Sequence, residues 1–365
     1  MKSRVLFITP SLTKGGAETQ LIKVARFLNS KQFNVMIISL KPIHQFQHLK
    51  LEEEGIKVLL LDNWPGRFTS NVRMLYKAVR LFRAEIVVAF MFIAIIFARI
   101  LKLFLGFKLV STIRISVIKP KWYIPFKLTS VLDDIIVYNS KASKFNFENK
   151  RLVNKPGIVI YNGITIPEWN SPEAENHDKT FVWICIGHFK YNKDYPTLFK
   201  AVSRLKDHNF RVDILGRYDD QEWPFKMIEE LGIENNVRLL GFRPNATDYL
   251  KTGDAFVLSS YSEGMPNGIL EAMAYGKPIV ATNIDGNNEL LTEAECGFLS
   301  LPSDPEDLAA KMLEVMQMPP ARRFVLGNNG RKFISTNFAE EKVMLDWLNL
   351  IQDYKTEDLL LKQLA

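Results

Sequence analysis

Short β-branched runs alternate with segments of helical apolar spacing along almost the whole chain. In the first half the runs are "RVLFIT", "NVMIISL", "IKVLLL", "EIVVAF", "KLVSTI" and "DIIVYN", separated by stretches such as "AETQLIKVARFLNS". In the second they are "FVWICIG", "RVDILG", "VRLLG", "AFVLSS", "PIVAT" and "GFLSL", spaced by segments such as "YPTLFKAVSRLKD". A strand followed by a helix and another strand builds a parallel sheet with both faces covered. The pattern pauses once, over residues 160–180, where "IYNGITIPEWNSPEAENHDKT" is rich in Pro, Gly, Asn and charge and has no period. That stretch reads as a linker. The expected architecture is α/β, with two consecutive doubly wound Rossmann-like domains of similar size. Ligands of such sheets bind beyond the carboxyl ends of the strands, and two facing domains would put those ends around one cleft. The tail "AEEKVMLDWLNLIQDY" reads as an amphipathic helix with Val343, Leu345, Trp347, Leu348 and Ile351 available for burial, on either half.

A length of 365 residues also favours two domains, and 47% apolar with 24% charged residues is ordinary for a globular protein. The two cysteines, Cys185 and Cys296, sit in apolar runs and read as buried reduced thiols, which fits the cytoplasm. At the N-terminus the apolar stretch from Val5 to Ile8 is too short for a signal peptide. "IVVAFMFIAIIFA", over residues 86–98, is 13 apolar residues without a break. A membrane span needs about 20, so a buried strand leading into a buried helix is expected. The net charge of +7 divides unevenly: residues 1–170 hold 26 Lys and Arg against 10 Asp and Glu, and residues 171–365 hold 21 against 30. Such asymmetry points to different partners for the two halves.

The turn after the first strand, "SLTKGGAET", lacks the G-x-G-x-x-G pattern, and the second strand ends in "SLKP" with no acid for a ribose. Both disfavour a nicotinamide dehydrogenase, and no Walker sequence is present. Gly15 and Gly16 lie at a strand-to-helix turn, where exposed amides suit a phosphate or a sugar, or make a tight turn and nothing more. In the second half "IGHFKYNKDYPTL" places His188 and Lys193 in the loop before a helix, where an ammonium can neutralise a phosphate oxygen. His44, His48, His177 and His208 read as surface residues. No cluster of His, Cys, Asp and Glu has metal-ligand spacing, so no tightly held metal is expected.

The densest chemistry lies in "SEGMPNGILEAMAYGKPIV", residues 262–280. "DAFVLSS" reads as a strand, "YSEGMP" as the loop at its carboxyl end, and "PNGILEAMAYG" as a helix with Pro266 at its first position and Gly276 as its C-cap. The amides of Gly264, Met265, Asn267 and Gly268 and the helix dipole then favour an anion, for which a diphosphate is a natural candidate. Glu263 in the loop can accept hydrogen bonds from sugar hydroxyls, or serve as an acid at a helix start. Glu271, in an otherwise apolar helix, would be costly if buried without a partner, which favours a ligand role at a ribose.

Those residues, with "KGGAETQLIKVARFL", "IVIYNGI", "KYNKDYPTLFKAVSRL" and "NVRLLGF", resemble the retaining GT-B glycosyltransferases of family 4, the group 1 glycosyl transferases, over nearly the whole chain. The resemblance implies an acceptor-binding domain over 1–165, a nucleotide-sugar-binding domain over 166–345, and a helix over 346–365 that crosses back to the first. Carried over by position, Glu263 and the backbone of Gly264, Met265, Pro266 and Asn267 would contact the donor sugar and nearer phosphate, Glu271 the ribose, and Lys193 the diphosphate. Gly16 would make room for that diphosphate from across the cleft. Lys193 and the helix terminus would stabilise the leaving nucleoside diphosphate, and the leaving phosphate would take the acceptor's proton on the same face, giving retention without a metal. The resemblance also favours a UDP-linked hexose or N-acetylhexosamine donor and no tightly bound cofactor.

Two departures stand out. Many relatives have arginine where His188 stands, and an imaginary clamp of two cations is weaker with an imidazole at pH 7. Many also have a histidine after the fourth strand, where this chain reads "VVAFMF". The basic first half, with "KPKWYIPFKL" interleaving Lys119, Lys121 and Lys127 with Trp122, Tyr123 and Phe126, suits anionic lipid headgroups, or is an ordinary amphipathic helix with wet lysines. Lys119, Lys121, Trp122 and Arg114 are the candidates for membrane or acceptor contact. Nucleic acid is disfavoured, since no recognised module is present. The family's lipid-diphosphate-linked acceptors in capsule, O-antigen or exopolysaccharide assembly imply a saccharide acceptor on the cytoplasmic face of the membrane, with the protein peripheral. The competing readings are a non-catalytic nucleotide-sugar-binding partner of another transferase and a GT-B sugar-nucleotide epimerase or phosphorylase.

Overall fold

A computed structural model describes residues 2–13, 15–42, 50–62, 67–168 and 180–364, with side chains as far as residue 353. His44, His48 and His177 lie outside the described residues, and His208 is exposed. The chain forms two compact units, residues 1–163 with 341–365 and residues 164–340.

The first unit comprises β1 (Arg4–Thr9), α1 (Gly16–Ser30), β2 (Asn34–Ser39), β3 (Lys57–Leu60), α2 (Phe68–Phe82), β4 (Ile86–Phe90), α3 (Phe92–Leu105), β5 (Lys108–Ile113), α4 (Tyr123–Thr129), β6 (Ile135–Tyr138), α5 (Lys141–Asn149) and β7 (Ile158–Val159). Its strands pair in parallel in the order β3-β2-β1-β4-β5-β6-β7. Alternate residues of a strand face opposite sides of a sheet, and β1 shows the consequence. Val5 and Phe7 join the core that holds Leu21, Val24 and Leu28 of α1, whereas Leu6 and Ile8 join the core that holds Leu75 and Val79 of α2 and Ala94, Ile95 and Ala98 of α3. The final helix, α13 (Glu340–Leu364), completes the α1 face, burying Val343, Met344, Trp347, Leu350 and Ile351 there. Trp347 stacks on Phe90 with ring centroids 6.2 Å apart. The tail thus docks on the first half, its helix begins at Glu340 rather than at 346, and Leu345, half exposed, gives way to Met344 and Leu350.

The unbroken apolar run of residues 86–98 divides as β4 and the start of α3, hinged at Met91, whose φ of 67° and ψ of 162° belong to a region costly for a side chain. No helix of the described residues is long and apolar enough to cross a membrane. α3 departs from the expected buried helix: Ile93, Ile100, Leu103 and Phe104 are exposed. Its two cations point inward instead. Arg99, fully buried, forms a two-pronged bond with Asp133, from Nε to Oδ1 at 2.8 Å and from Nη2 to Oδ2 at 2.6 Å, and donates through Nη1 to Phe126 O and Thr129 Oγ1. Lys102 reaches Asp134 Oδ2 at 2.5 Å.

The second unit comprises β8 (Phe181–Ile186), α6 (Tyr195–Arg204), β9 (Phe210–Leu215), α7 (Trp223–Leu231), β10 (Val237–Gly241), α8 (Tyr249–Thr252), β11 (Ala255–Leu258), α9 (Asn267–Ala274), β12 (Ile279–Thr282), α10 (Asp285–Ala294), β13 (Gly297–Ser300), α11 (Pro305–Gln317) and α12 (Pro320–Asn337). The strands, all parallel, run β10-β9-β8-β11-β12-β13. The order reverses between β8 and β11, so the loops leaving those two strands part to opposite faces and leave a crevice at their carboxyl ends.

Candidate functional site

Both sequence segments singled out in the second unit arrive at that crevice. Beyond β8, a turn over Tyr191–Lys193 leads to Asp194, which takes a left-handed φ of 47° and caps α6 by accepting from Thr197 N. Beyond β11 run Ser259, Ser260 and the loop to Glu263. Ser259 Oγ donates to Lys193 O at 3.0 Å and Asp194 O at 2.9 Å, Tyr261 N donates to Asn192 O at 2.7 Å, and Asn192 Nδ2 donates to Ser262 O at 3.2 Å. These bonds sew the two loops together and bring Lys193 Nζ to 2.5 Å from Glu263 Oε1. Ser260 Oγ donates to the same oxygen at 2.8 Å. Ser259 and Ser260, unremarked in the sequence, hold the pair in place; their signal was position alone, the first two residues past a buried strand.

Glycines set how tightly this edge is built. A Cβ on Gly187 would lie 3.3 Å from Lys193 Cε, so the lysine stem runs across that residue. A Cβ on Gly216 would meet Gly187 O at 1.8 Å, which packs the loops after β8 and β9 backbone to backbone. Gly286, at the start of α10, likewise backs the Glu263–Gly264 loop, where a Cβ would stand 2.7 Å from Gly264 O.

α9 begins at Asn267, with Pro266 as its N-cap at ψ 102° rather than its first helical residue. The reason is that its φ of −78° suits a helix while its ψ still belongs to the extended loop. The C-cap is Tyr275, and Gly276 follows in the left-handed conformation at φ 64°. Met265 and Pro266 are buried, and Gly264, Asn267 and Gly268 are half-buried. Gly268 rides over Ile186 O, so the first turn of α9 lies against the end of β8. Glu271, one turn further on, is half-buried while its neighbours Leu270 and Ala272 are buried. It sits at the rim of the helix, not in its core.

His188 Nδ1 accepts from Arg217 N at 3.0 Å. That bond leaves Nδ1 without a hydrogen and puts the imidazole proton on Nε2, so His188 offers a neutral donor where a second cation was looked for. Arg217 carries a full charge one strand away, on a residue the sequence reading passed over.

The remaining candidates belong to the first unit. Gly15 is the N-cap of α1 and Gly16 its first residue. The space a Cβ on Gly15 would take is held by the Glu18 carboxylate, with Oε2 at 2.4 Å from that point. An acid over the first turn suits a sugar hydroxyl better than a phosphate, because it offers an acceptor and opposes an anion. Arg114 separates from its proposed companions. It is buried at the end of β5, donates from Nη1 to Asn162 Oδ1 at 2.7 Å, lies over the Phe90 ring, and has Nε and Nη2 without hydrogen-bond partners. Burial pushes its pKa down to about 9, and a buried side chain is not a membrane contact. Lys119, Lys121 and Trp122 are exposed, with Trp122 packed on Phe92 at 5.2 Å and Lys121 Nζ 5.9 Å from the Trp122 ring. Among the described residues no three His, Cys, Asp or Glu are placed to hold a metal ion. Cys185 and Cys296 are free and buried.

The model for "Glycosyl transferases group 1" matches residues 167–333, and that for "Glycosyltransferase Family 4" matches residues 14–168. The chain is 30% identical over 225 residues to the uncharacterized glycosyltransferase MJ1178 of Methanocaldococcus jannaschii, a match spanning 60% of each chain. It is 24% identical over 307 residues to the capsular polysaccharide biosynthesis glycosyltransferase CapH of Staphylococcus aureus, covering 79% of this chain and 83% of that protein. The fold matches that of Anabaena Alr3699/HepE, solved with UDP and glucose, with a TM-score of 0.81 at 22% identity over 96% of this chain and all of that one. With its two models spanning residues 14–333 between them and two Rossmann-like units beneath them, the chain belongs to the group 1 glycosyl transferases, Glycosyltransferase Family 4, and has the GT-B fold.

Proposed function

We propose that the protein transfers a hexose or N-acetylhexosamine from a nucleotide-sugar, UDP-linked, to a lipid-diphosphate-linked saccharide, with retention, in surface polysaccharide assembly. The observation that carries the reading is the juxtaposition of Lys193, Glu263 and the first turn of α9 at the β8/β11 reversal point. In this reading Glu263 accepts from the donor sugar's hydroxyls and Glu271 from the ribose. The diphosphate lies between them, against Lys193 and the positive end of α9. As the glycosidic bond lengthens, charge gathers on the leaving phosphate, and a preorganised ammonium and helix amides stabilise it without a divalent metal. That same phosphate oxygen takes the acceptor hydroxyl's proton, which keeps attack on the leaving-group face. HepE supports the donor by its UDP and glucose, and CapH the setting by its capsular role.

The acceptor side rests on the first unit's surface. Between residues 63 and 132 there are twelve Lys and Arg and a single acid, Glu85, which is paired to Arg4. The same span exposes Ile100, Leu103, Phe104, Trp122, Ile124 and Leu128. Exposed apolar side chains beside the exposed Lys119, Lys121 and Lys127 fit the anionic cytoplasmic surface of a membrane, where a lipid-linked acceptor would be met.

The test is incubation with UDP-, GDP- and ADP-sugars and a lipid-diphosphate-linked saccharide in EDTA, followed by determination of the new bond's anomeric configuration by NMR. The reading expects transfer with the donor's configuration kept; inversion, or turnover only with added metal, would overturn the mechanism.

A further inference from the structure

An open groove of about 360 Å³ lies between α2 and α3 of the first unit. Phe68, Val72 and Tyr76 of α2 and Ile100, Leu101 and Phe104 of α3 line it. Of the lining residues only Thr69, Arg73 and Tyr76 bring polar atoms. Its volume is that of a small-molecule site, and a wall so poor in donors and acceptors holds an occupant by apolar contact. Phe104 is 69% and Phe68 53% exposed, so two aromatic rings stand in water at its mouth. The sheet-facing side of the same helices already supplies the core, with Leu75, Val79, Ala94, Ile95 and Ala98.

Charge and position say what fits. α2 carries Arg73, Lys77 and Arg80, all exposed, and no acid, whereas Arg99 and Lys102 of α3 turn inward to Asp133 and Asp134. A second copy of the chain, docked symmetrically on this face, would set like charges against each other. An anionic amphiphile meets the same face with its chain in the groove and its head group at Arg73 on the rim. The groove also has a direction. Asn71 Nδ2 donates to Asp62 O at 3.1 Å, two residues past β3, which places the Phe68 end at the carboxyl edge of the sheet. Ligands of such sheets bind at that edge, so a chain seated here delivers its head group toward it.

We propose that this groove holds the hydrocarbon chain of the lipid-linked acceptor, one lipid at a time, with Arg73 on its phosphate. The inference rests on the lipid-diphosphate-linked acceptor proposed above and adds where its chain sits. Each methylene buried in the groove strengthens binding about fourfold, so chain length becomes part of acceptor recognition. The lipid surface alone does not ask for this: a protein that only rests on a membrane needs no preformed groove.

The experiment measures binding of dodecyl phosphate and butyl phosphate by calorimetry, without vesicles and below the concentration at which either aggregates. The proteins are the wild type, Ile100→Gln, Thr69→Trp, Arg73→Gln and, as a control, Leu81→Gln, an exposed position of α2 outside the groove. Thermal unfolding of each checks that it folds. Wild type should bind dodecyl phosphate at one site, and butyl phosphate at least about tenfold more weakly. Ile100→Gln, which makes the wall polar, and Thr69→Trp, which fills the groove, should each weaken dodecyl phosphate about tenfold. Arg73→Gln should weaken it about threefold, and Leu81→Gln should match wild type. In the transfer assay dodecyl phosphate should compete with the lipid-linked acceptor and not with the nucleotide-sugar. Equal affinity of Ile100→Gln and wild type, or equal binding of the two chain lengths, would overturn the groove. Inhibition that does not compete with the acceptor would overturn the acceptor as its occupant. Absence of transfer by a wild type that binds dodecyl phosphate at Ile100 would instead sink the acceptor reading above.

Discussion

Lys193 Nζ stands 2.5 Å from Glu263 Oε1, joining two loops whose side chains are only 17% and 12% exposed. The carboxylate already occupies the ammonium that the donor's diphosphate would use. Glu263→Gln should therefore bind pyrophosphate about threefold to tenfold more tightly, since a competing charge is gone. Transfer should nonetheless drop by roughly 100-fold for want of the sugar contact. Unchanged pyrophosphate affinity would show that Lys193 and the diphosphate do not meet.

The buried pair in the first unit makes a separate prediction. Arg99 and Asp133 are fully buried, and Ser111 Oγ also donates to Asp133 Oδ1 at 2.7 Å. Asp133→Ala would leave a guanidinium buried without its counter-charge, at a cost of ~3–5 kcal/mol in urea unfolding. Arg99→Met combined with Asp133→Leu should recover most of that. A loss below ~1 kcal/mol in the single variant would contradict the geometry.

Alkaline pH tests the buried titratable groups. Burial pushes both Cys185 and Cys296 up to about 12 and raises Tyr138 and Tyr195 further from their usual range. Between about pH 8.5 and 12 the unfolded thiols lose protons that the folded ones keep, so stability falls as pH rises through that window. Arg114 acts with the opposite sign, since above about 9 the unfolded chain holds a proton that the folded one loses. The raised thiols and tyrosines, Tyr261 among them, outnumber the lowered Arg114 and Arg331 and predict a lower urea midpoint at pH 10.5 than at pH 8. Iodoacetamide at pH 8 should label both thiols only after unfolding.

The membrane face is checked by sedimentation with vesicles. Wild-type protein should pellet with phosphatidylglycerol-containing vesicles and not with phosphatidylcholine alone. Reversal of Lys119, Lys121 and Lys127 to Glu should abolish that binding, at about 1 kcal/mol per neutralised contact. Trp122→Ala should weaken it at every salt concentration. Equal sedimentation of the reversed variant would remove the anionic-lipid partner.

Every strand the sequence announced is present, because buried parallel strands are continuous apolar runs that period and length betray. β7 (Ile158–Val159) went unread, as two residues at the edge of an aperiodic stretch carry no period. The site's loops were legible where residue type is unusual for its place, as with Glu263 and Lys193. Arg217 was not, because a loop arginine is ordinary until strand order sets it beside His188. The grouping of Arg114 with Lys119 failed for a related reason: "STIRISVIKPK" shows only cations, while burial depends on which residue ends β5 and which begins the next turn. The exposed face of α3 was hidden by composition, since an apolar helix reads the same whether its partner is a core or a surface.

The central claim is that the donor's diphosphate is held at Lys193 and α9. Its most direct measurement is the Kd of the tightest-binding UDP-, GDP- or ADP-sugar in wild type and in Lys193→Gln, with urea unfolding as the control for folding. Loss of a charge-assisted contact at the diphosphate predicts at least a tenfold weakening with an unfolding midpoint close to wild type. Equal affinity in a folded Lys193→Gln would contradict it.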